Sequence, residues 1–378
     1  MQFEPGEEQL QFRAGLDRFL ADANDLPKRT ATVRGEPGWR PGLWRSLARE
    51  LGVMGVGLPE SLGGFGTGLD QLMVMEAAGR ALLPEPLAET LFQCAPLLRH
   101  GGPDLQDLVR GVIAGDVRLA MALDEEGMRG ELADLALPAT RSDSGWLLNG
   151  TKRVVVAAPW ATHLLVAART GGKAGDENGL SLFLVPARSE GVTLTAYKLL
   201  DERRAADITL SDVQVGSGVL IGPEGGALPL LEEWRDRAIA AAAAEASGLL
   251  ERLVEDTVAY ARQREQFGQP IGSFQALQHR MVDMQLQLEL VRSAALLACQ
   301  SLESDPESRA RAASSAKVTV AQACRFVGQN AVQIHGGMGM TDDLAIGHYF
   351  KRATVIEHSF GSQDWHLARR ARLDSPPA

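Results

Sequence analysis

The sequence predicts an α+β multidomain protein, with an N-terminal helical domain, a middle β-barrel or β-sandwich domain and a C-terminal four-helix bundle. Three observations carry this expectation. Apolar residues recur at helical spacing up to about residue 118, short β-branched runs parted by glycine turns follow to about 228, and helical spacing then returns. The 378 residues suit two or three domains at roughly 100–200 residues each. The changes of texture place the boundaries at 1–118, 119–228 and 229–378.

In the first segment, Phe12, Leu16, Phe19 and Leu20 share one helical face. Leu43, Leu47 and Leu51 repeat that spacing before Gly52, a helix stop. The stretch from Leu58 to Gly68 is too rich in glycine and proline for a helix or central strand, and helical spacing resumes through Met73, Met75 and Ala77 to Pro84. In the middle segment, Asn149-Gly150 beside the apolar run Trp146–Leu148 predicts a hairpin turn. Strands are expected at Val154–Val156, Leu164–Val166, Leu180–Val185, Val192–Thr195 and Ile208–Leu210, with turns at Gly171-Gly172, Asn178-Gly179 and Glu190-Gly191. The last segment predicts helices near 228–265, 275–302, 307–335 and 346–373. The alanine run Ala238–Ala246 combines high helix propensity with little bulk, which suits a tightly packed bundle helix.

Composition excludes several functions. Thirty-eight basic against 48 acidic residues leave a net charge of −10, the wrong sign for a nucleic-acid binder, which needs cations to displace phosphate counterions. The three cysteines, Cys94, Cys299 and Cys324, are too few and too scattered for a disulfide framework or a zinc site. No histidine pair has metalloprotease spacing, so no metal site is expected. The longest nearly apolar stretch, 154–168, falls short of the about 20 residues a spanning helix needs, and the acidic start lacks a signal pattern. A reducing, cytoplasmic location is expected, with no membrane partner. Gly64-Phe65-Gly66-Thr67-Gly68 superficially resembles a dinucleotide loop, but it lacks the βα alternation of that fold.

Two segments carry chemistry. Tyr260-Ala261-Arg262-Gln263-Arg264-Glu265-Gln266-Phe267-Gly268-Gln269-Pro270 ends one helix and leads, through Ser273 as an expected N-cap, into the next. Arg264, Phe267 and Gln275 gather around this break, where an arginine and helix N-terminal amides can cradle a diphosphate. Gln333-Ile334-His335-Gly336-Gly337 ends another helix in paired glycines, whose bare backbone admits close approach.

In this order, and with the Pro59-Glu60…Gly63-Gly64 stretch, the Trp146–Lys152 segment and the exit Asp212–Val215 with Gly222–Gly226, the chain resembles the acyl-CoA dehydrogenase family of flavoproteins over nearly its whole length. The resemblance implies FAD, bound between β domain and bundle and completed by a neighbouring subunit. It implies that Arg264 meets the flavin diphosphate and Phe267 packs by the cofactor. Gln275 would stand at the start of the next helix, with Gln333, Gly336 and Gly337 reaching the dinucleotide across the subunit interface. It implies an acyl-CoA substrate, α,β-dehydrogenation by a carboxylate base with hydride passing to flavin, and an electron-transfer flavoprotein as acceptor.

The chain departs from the family where the chemistry occurs. Phe360 falls at the usual glutamate base and Ala238 at the alternative base position, and neither accepts a proton. The flavin-facing Thr-Glu-Pro loop is replaced by Leu123-Asp124-Glu125-Glu126, and a Trp-x-Thr segment by Val154–Val156; a valine has no hydroxyl for the flavin, although its backbone amide could serve. Three expectations follow. The chain is a non-catalytic or weakly catalytic small subunit of a heteromeric dehydrogenase, resembling the pimeloyl-CoA dehydrogenase small-subunit branch. Alternatively Asp364, Glu245 or Glu357 serves as a relocated base in a self-sufficient enzyme, or the chain is a flavin-free scaffold that binds acyl-CoA or a protein. The expected partner is a homologous dehydrogenase subunit in a hetero- or homo-tetramer.

Overall fold

The computed structural model describes residues 4–375. Backbone contacts divide the chain into two units, one of residues 1–31, 68–83 and 239–378, the other of residues 32–67 and 84–238.

The first unit is helical. It contains α1 (Glu7–Ala23), α4 (Gly68–Arg80), most of α6 (Leu228–Gln263), α7 (Gln275–Gln300), α8 (Pro306–His335), α9 (Ala345–His358) and α10 (Gln363–Asp374). Leu16 and Leu20 bury the face of α1 that their spacing marks. The alanine run behaves as expected: Ala238, Ala240, Ala243, Ala244 and Ala246 are buried in α6. Small residues let α4 and α6 touch backbone to backbone. A Cβ on Gly248 would lie 1.9 Å from the Glu76 carbonyl oxygen, and one on Gly79 would lie 2.0 Å from that of Glu245. The expected last helix is instead two, because the chain breaks between His358 and Gln363 with Phe360 at φ +60° and Gly361 at φ +106°. Ser362 caps α10 by accepting from the Trp365 amide. At α7 the cap position falls on Phe274 rather than Ser273, whose hydroxyl donates to the Pro270 carbonyl.

The second unit holds α3 (Pro41–Arg49), α5 (Pro103–Ile113) and a buried π-helical turn over Ala88–Cys94, followed by two four-stranded sheets. Helix α2 (Leu26–Arg34) runs across the boundary between the units. One sheet has the order β1 (Leu119–Ala122), β4 (His163–Arg169), β5 (Leu180–Pro186), β8 (Leu220–Ile221); the other has β2 (Ala139–Ser142), β3 (Gly145–Val156), β7 (Arg204–Val215), β6 (Val192–Lys198). Leu148, Val155, Leu164, Val166, Phe183, Ile208 and Val213, with Trp146, share one buried core between them. Asn149-Gly150 is not the hairpin turn. It lies inside β3 at a register shift, Gly150 stands at φ +138°, and the Asn149 side chain exchanges hydrogen bonds with Asp212 at 2.9 and 2.8 Å. The β2–β3 hairpin closes instead at Ser142↔Gly145. The sequence signal reads the same for a turn and for a bulge, since both want a residue pair that tolerates positive φ.

Candidate functional site

The two motif segments meet at one end of the helical unit. Tyr260 near the end of α6 stacks on His335, the last residue of α8, with ring centroids 4.3 Å apart. Its hydroxyl reaches the His335 carbonyl at 3.5 Å. Burial holds the His335 imidazole below its ordinary pKa, against a hydrogen bond to the Ala331 carbonyl at 2.8 Å. That contact fixes where the loops beyond both helices leave the bundle.

Beyond α6 the chain forms a miniature hairpin, β9 (Glu265–Gln266) against β10 (Gln269–Pro270). Phe267 occupies its tip at φ +55° with 92% of its surface exposed, packed edge-on only to Phe274 at 6.1 Å. Arg264 is exposed, and among the described residues no carboxylate engages its guanidinium. Gln275 is exposed in the first turn of α7, where unpaired amides point outward. Gln333, Gly336 and Gly337 are exposed too, with Gly336 at φ +59° and open space where either glycine would carry a Cβ. The side chains of Arg264, Gln275 and Gln333 therefore form a donor set, a cation and two amides, that no other described residue engages, beside the exposed Phe267 ring and the open space at Gly336 and Gly337.

The three candidate carboxylates stand in different settings. Glu245 is buried in α6, and both its oxygens accept from Arg352 of α9 at 2.6 Å. Glu357 is buried at the end of α9 and paired with Arg325, whose Nε donates at 2.8 Å. Lys317 lies beneath the same turn, donating to the carbonyls of Ile356 at 2.9 Å and Glu357 at 2.6 Å. Burial pushes its pKa down to about 8. Asp364 is exposed in the first turn of α10, a favourable place for a negative charge at a helix N-terminus. His366 and Ser314 complete the seat of the 359–362 turn, with His366 Nε2 2.8 Å from the Phe360 carbonyl and Nδ1 3.2 Å from Ser314 Oγ. Nothing in the sequence marks these partners, because Glu245 and Arg352 stand 107 positions apart.

On the β unit, Glu125 folds back on its own module. Its carboxylate accepts from the amides of Ala136 and Leu137 and from Lys152, 2.6 Å away. Burial lowers the Lys152 pKa to about 8, with Glu125 opposing the shift. Val154 adopts φ +51°, strained for a β-branched residue. The sequence left its amide available for flavin, but that N–H already donates to Asp207 at 3.0 Å. Asp207 also accepts from Arg153 at 2.6 Å and Tyr197 at 2.9 Å, and these bonds hold its carboxyl below the ordinary range. Asp207, one residue before the expected strand Ile208–Leu210, was missed because a lone carboxylate beside a strand carries no signal of its own.

The fold and the motif-bearing end of the bundle define a flavin-dependent oxidoreductase type, and the comparisons agree. The chain matches the acyl-CoA dehydrogenase N-terminal domain over residues 6–115, the middle domain over 120–213 and the C-terminal domain over 237–372. It belongs to the acyl-CoA dehydrogenase family, oxidoreductases that act on CH–CH groups. It is 33% identical to acyl-CoA dehydrogenase FadE27 of Mycobacterium tuberculosis, over 98% of each chain. Among solved structures it is similar to a chain of the ChsE4–ChsE5 complex from Mycobacterium tuberculosis (30% identity, 100% of each chain, TM-score 0.88). It is likewise similar to a variant of the Tcur3481–Tcur3483 steroid acyl-CoA dehydrogenase (31% identity, 97% of this chain and 98% of that one, TM-score 0.87).

FAD is the family's cofactor, and this chain's residues divide against it. The bundle end fits a dinucleotide, since Gly336 and Gly337 leave open space and Arg264 is unengaged. The β unit fits poorly, because position 154 offers neither a hydroxyl nor an unspent amide.

Proposed function

We propose that this chain is the non-catalytic or weakly catalytic small subunit of a heteromeric acyl-CoA dehydrogenase. In this reading, segments 1–118, 119–228 and 229–378 act as N-terminal, middle and C-terminal domains, and the C-terminal one completes an FAD site on a homologous catalytic subunit. The observation that carries it is a pairing of loss and retention. Both expected base positions hold residues that take no proton, Phe360 and Ala238, while the bundle's donor set stays exposed and unengaged.

When bound, FAD supplies the acceptor for the hydride leaving an acyl-CoA thioester. Around it, Arg264 would oppose the diphosphate charge and Phe267 would cover an apolar face of the cofactor. Gln275 would add its amide at the start of α7, and Gln333, Gly336 and Gly337 would admit the dinucleotide against backbone. The catalytic subunit would provide the base. Reoxidation would fall to an electron-transfer flavoprotein, and the assembly would be a cytoplasmic tetramer. Two observations support a partner chain. Val282, Leu286 and Leu290 line one face of α7 at intervals of four, each more than half exposed, and two of the similar solved structures are named for paired proteins.

The test is expression of the chain alone and together with a homologous subunit from the same source. The proposal expects colourless protein alone, and a yellow complex that oxidises acyl-CoA only with the homologue. Stoichiometric flavin and turnover from the chain alone would instead support a relocated base, and absence of flavin with every homologue would support the scaffold.

A further inference from the structure

The β unit contains a cavity of about 310 Å³ that shares no residue with the donor set described above; Glu36, Pro37, Trp160, Tyr197, Lys198 and Arg204 shape it. Arg204 is its unusual member. It is 5% exposed, Nη2 donates to the Gly35 carbonyl and to Glu36 Oε1, each at 3.0 Å, and Nη1 is buried with no hydrogen-bond partner among the described residues. An unpaired guanidinium N–H in a buried position is costly and uncommon in folded proteins. Gly38, at φ +83°, makes room for the side chain: a Cβ there would lie 2.9 Å from Arg204 Nε.

The surroundings say what would satisfy it. Trp160 is a fixed wall, 4% exposed, its indole N–H donating to the Pro37 carbonyl at 2.8 Å and its ring stacked on Trp39. The Tyr197 hydroxyl is spent on Asp207. Lys198 is exposed, and among the described residues its ammonium reaches only the Arg34 carbonyl, at 3.5 Å. Glu36 is the one carboxylate in the lining, and its side chain is 85% exposed, so it can swing into water at little cost. With Glu36 displaced, the cavity offers two cations beside an aromatic and proline wall. Its volume lies at the small end of ligand pockets, which is too small for a whole CoA thioester.

We propose that this cavity binds a small organic carboxylate with a flat apolar body, its carboxylate replacing Glu36 on Arg204 and its ring resting against Trp160. The site is independent of the flavin assignment, since it needs neither FAD nor a partner subunit. The test is isothermal titration calorimetry of the full chain with benzoate, using benzamide as the neutral isostere. Wild type should bind benzoate saturably at one site and benzamide not at all. Glu36→Gln, which removes the competing carboxylate, should tighten benzoate by about 5- to 10-fold, and Lys198→Gln should weaken it by about 3- to 10-fold, on the scale of one ordinary hydrogen bond, since Lys198 is exposed. Both variants alter exposed side chains, and an unchanged melting temperature checks the fold. Absence of saturable benzoate binding in both wild type and Glu36→Gln overturns the proposal. So does equal affinity in all three proteins, or benzamide binding as tightly as benzoate.

Discussion

Replacing Glu245 by glutamine separates a structural carboxylate from a catalytic one. The side chain is buried in α6, and Arg352, itself 9% exposed, holds both of its oxygens at 2.6 Å. Glutamine keeps the shape but removes the carboxylate charge that the buried guanidinium pairs with. Breaking a buried pair from one side costs about 3–5 kcal/mol. At roughly 2–4 °C per kcal/mol for a unit of 150–250 residues, the helical unit's melting temperature should fall by about 6–20 °C. Thermal unfolding followed by far-ultraviolet circular dichroism reads that shift. The double variant Glu245→Met with Arg352→Met should recover most of the loss, because the buried charge is gone together with its counterion. In a reconstituted complex, single-turnover flavin reduction per bound flavin should be unchanged in the single variant at a temperature where it is folded. A Glu245→Gln protein that melts like wild type but no longer reduces flavin would refute the reasoning and make Glu245 a base.

Three further outcomes follow. Gly248→Ala places a methyl 1.9 Å from the Glu76 carbonyl oxygen, so the α4–α6 contact must open, and urea denaturation should show a loss of about 1–3 kcal/mol or more. Val154→Asn should stabilise the β unit by about 1 kcal/mol in the same assay, because asparagine tolerates the left-handed conformation that valine resists. Lys317 has a pKa of about 8 in the fold against 10.5 for a free lysine, so between those values the unfolded chain binds more protons and stability should rise with pH. Tyr349 acts oppositely: burial raises it from 10.0 to about 12, so its contribution falls above pH 10. Lys152, likewise lowered to about 8, adds to the rise, so melting temperatures scanned from pH 7 to 10 should climb, and Lys317→Met should make that climb shallower without abolishing it.

The legible part of the molecule was whatever repeats locally. The apolar spacing of Leu16 and Leu20, the alanine run of α6 and the glycine-marked end of α8 are periodic or punctuated, and each stands where its pattern placed it, whereas α6 stops at Gln263 and Gly268 falls in the β9–β10 turn. Arg264, Phe267 and Gln275 were visible because they cluster in a dozen residues around one helix break. What failed to show was long-range or ambiguous. Asn149-Gly150 carries the same signal for a bulge as for a turn, and only pairing with Asp212 in a distant strand decides between them. The break at Phe360 lies in a run that continues the helical pattern, and its cause is the seat formed by Lys317, His366 and Ser314 from other helices. The same holds for Glu245 and Glu357. A carboxylate reads alike whether it is free or clamped by an arginine on another helix.

The central claim is that this chain donates its bundle end to an FAD site it does not complete alone. FAD occupancy of the co-purified complex, with Arg264→Ala introduced in this chain only, tests it most directly. Loss of one charge-assisted contact to a diphosphate, about 1.5–3 kcal/mol, predicts FAD affinity about 10- to 100-fold weaker, with the complex intact by size-exclusion chromatography. Undiminished FAD affinity in that intact complex would contradict the account.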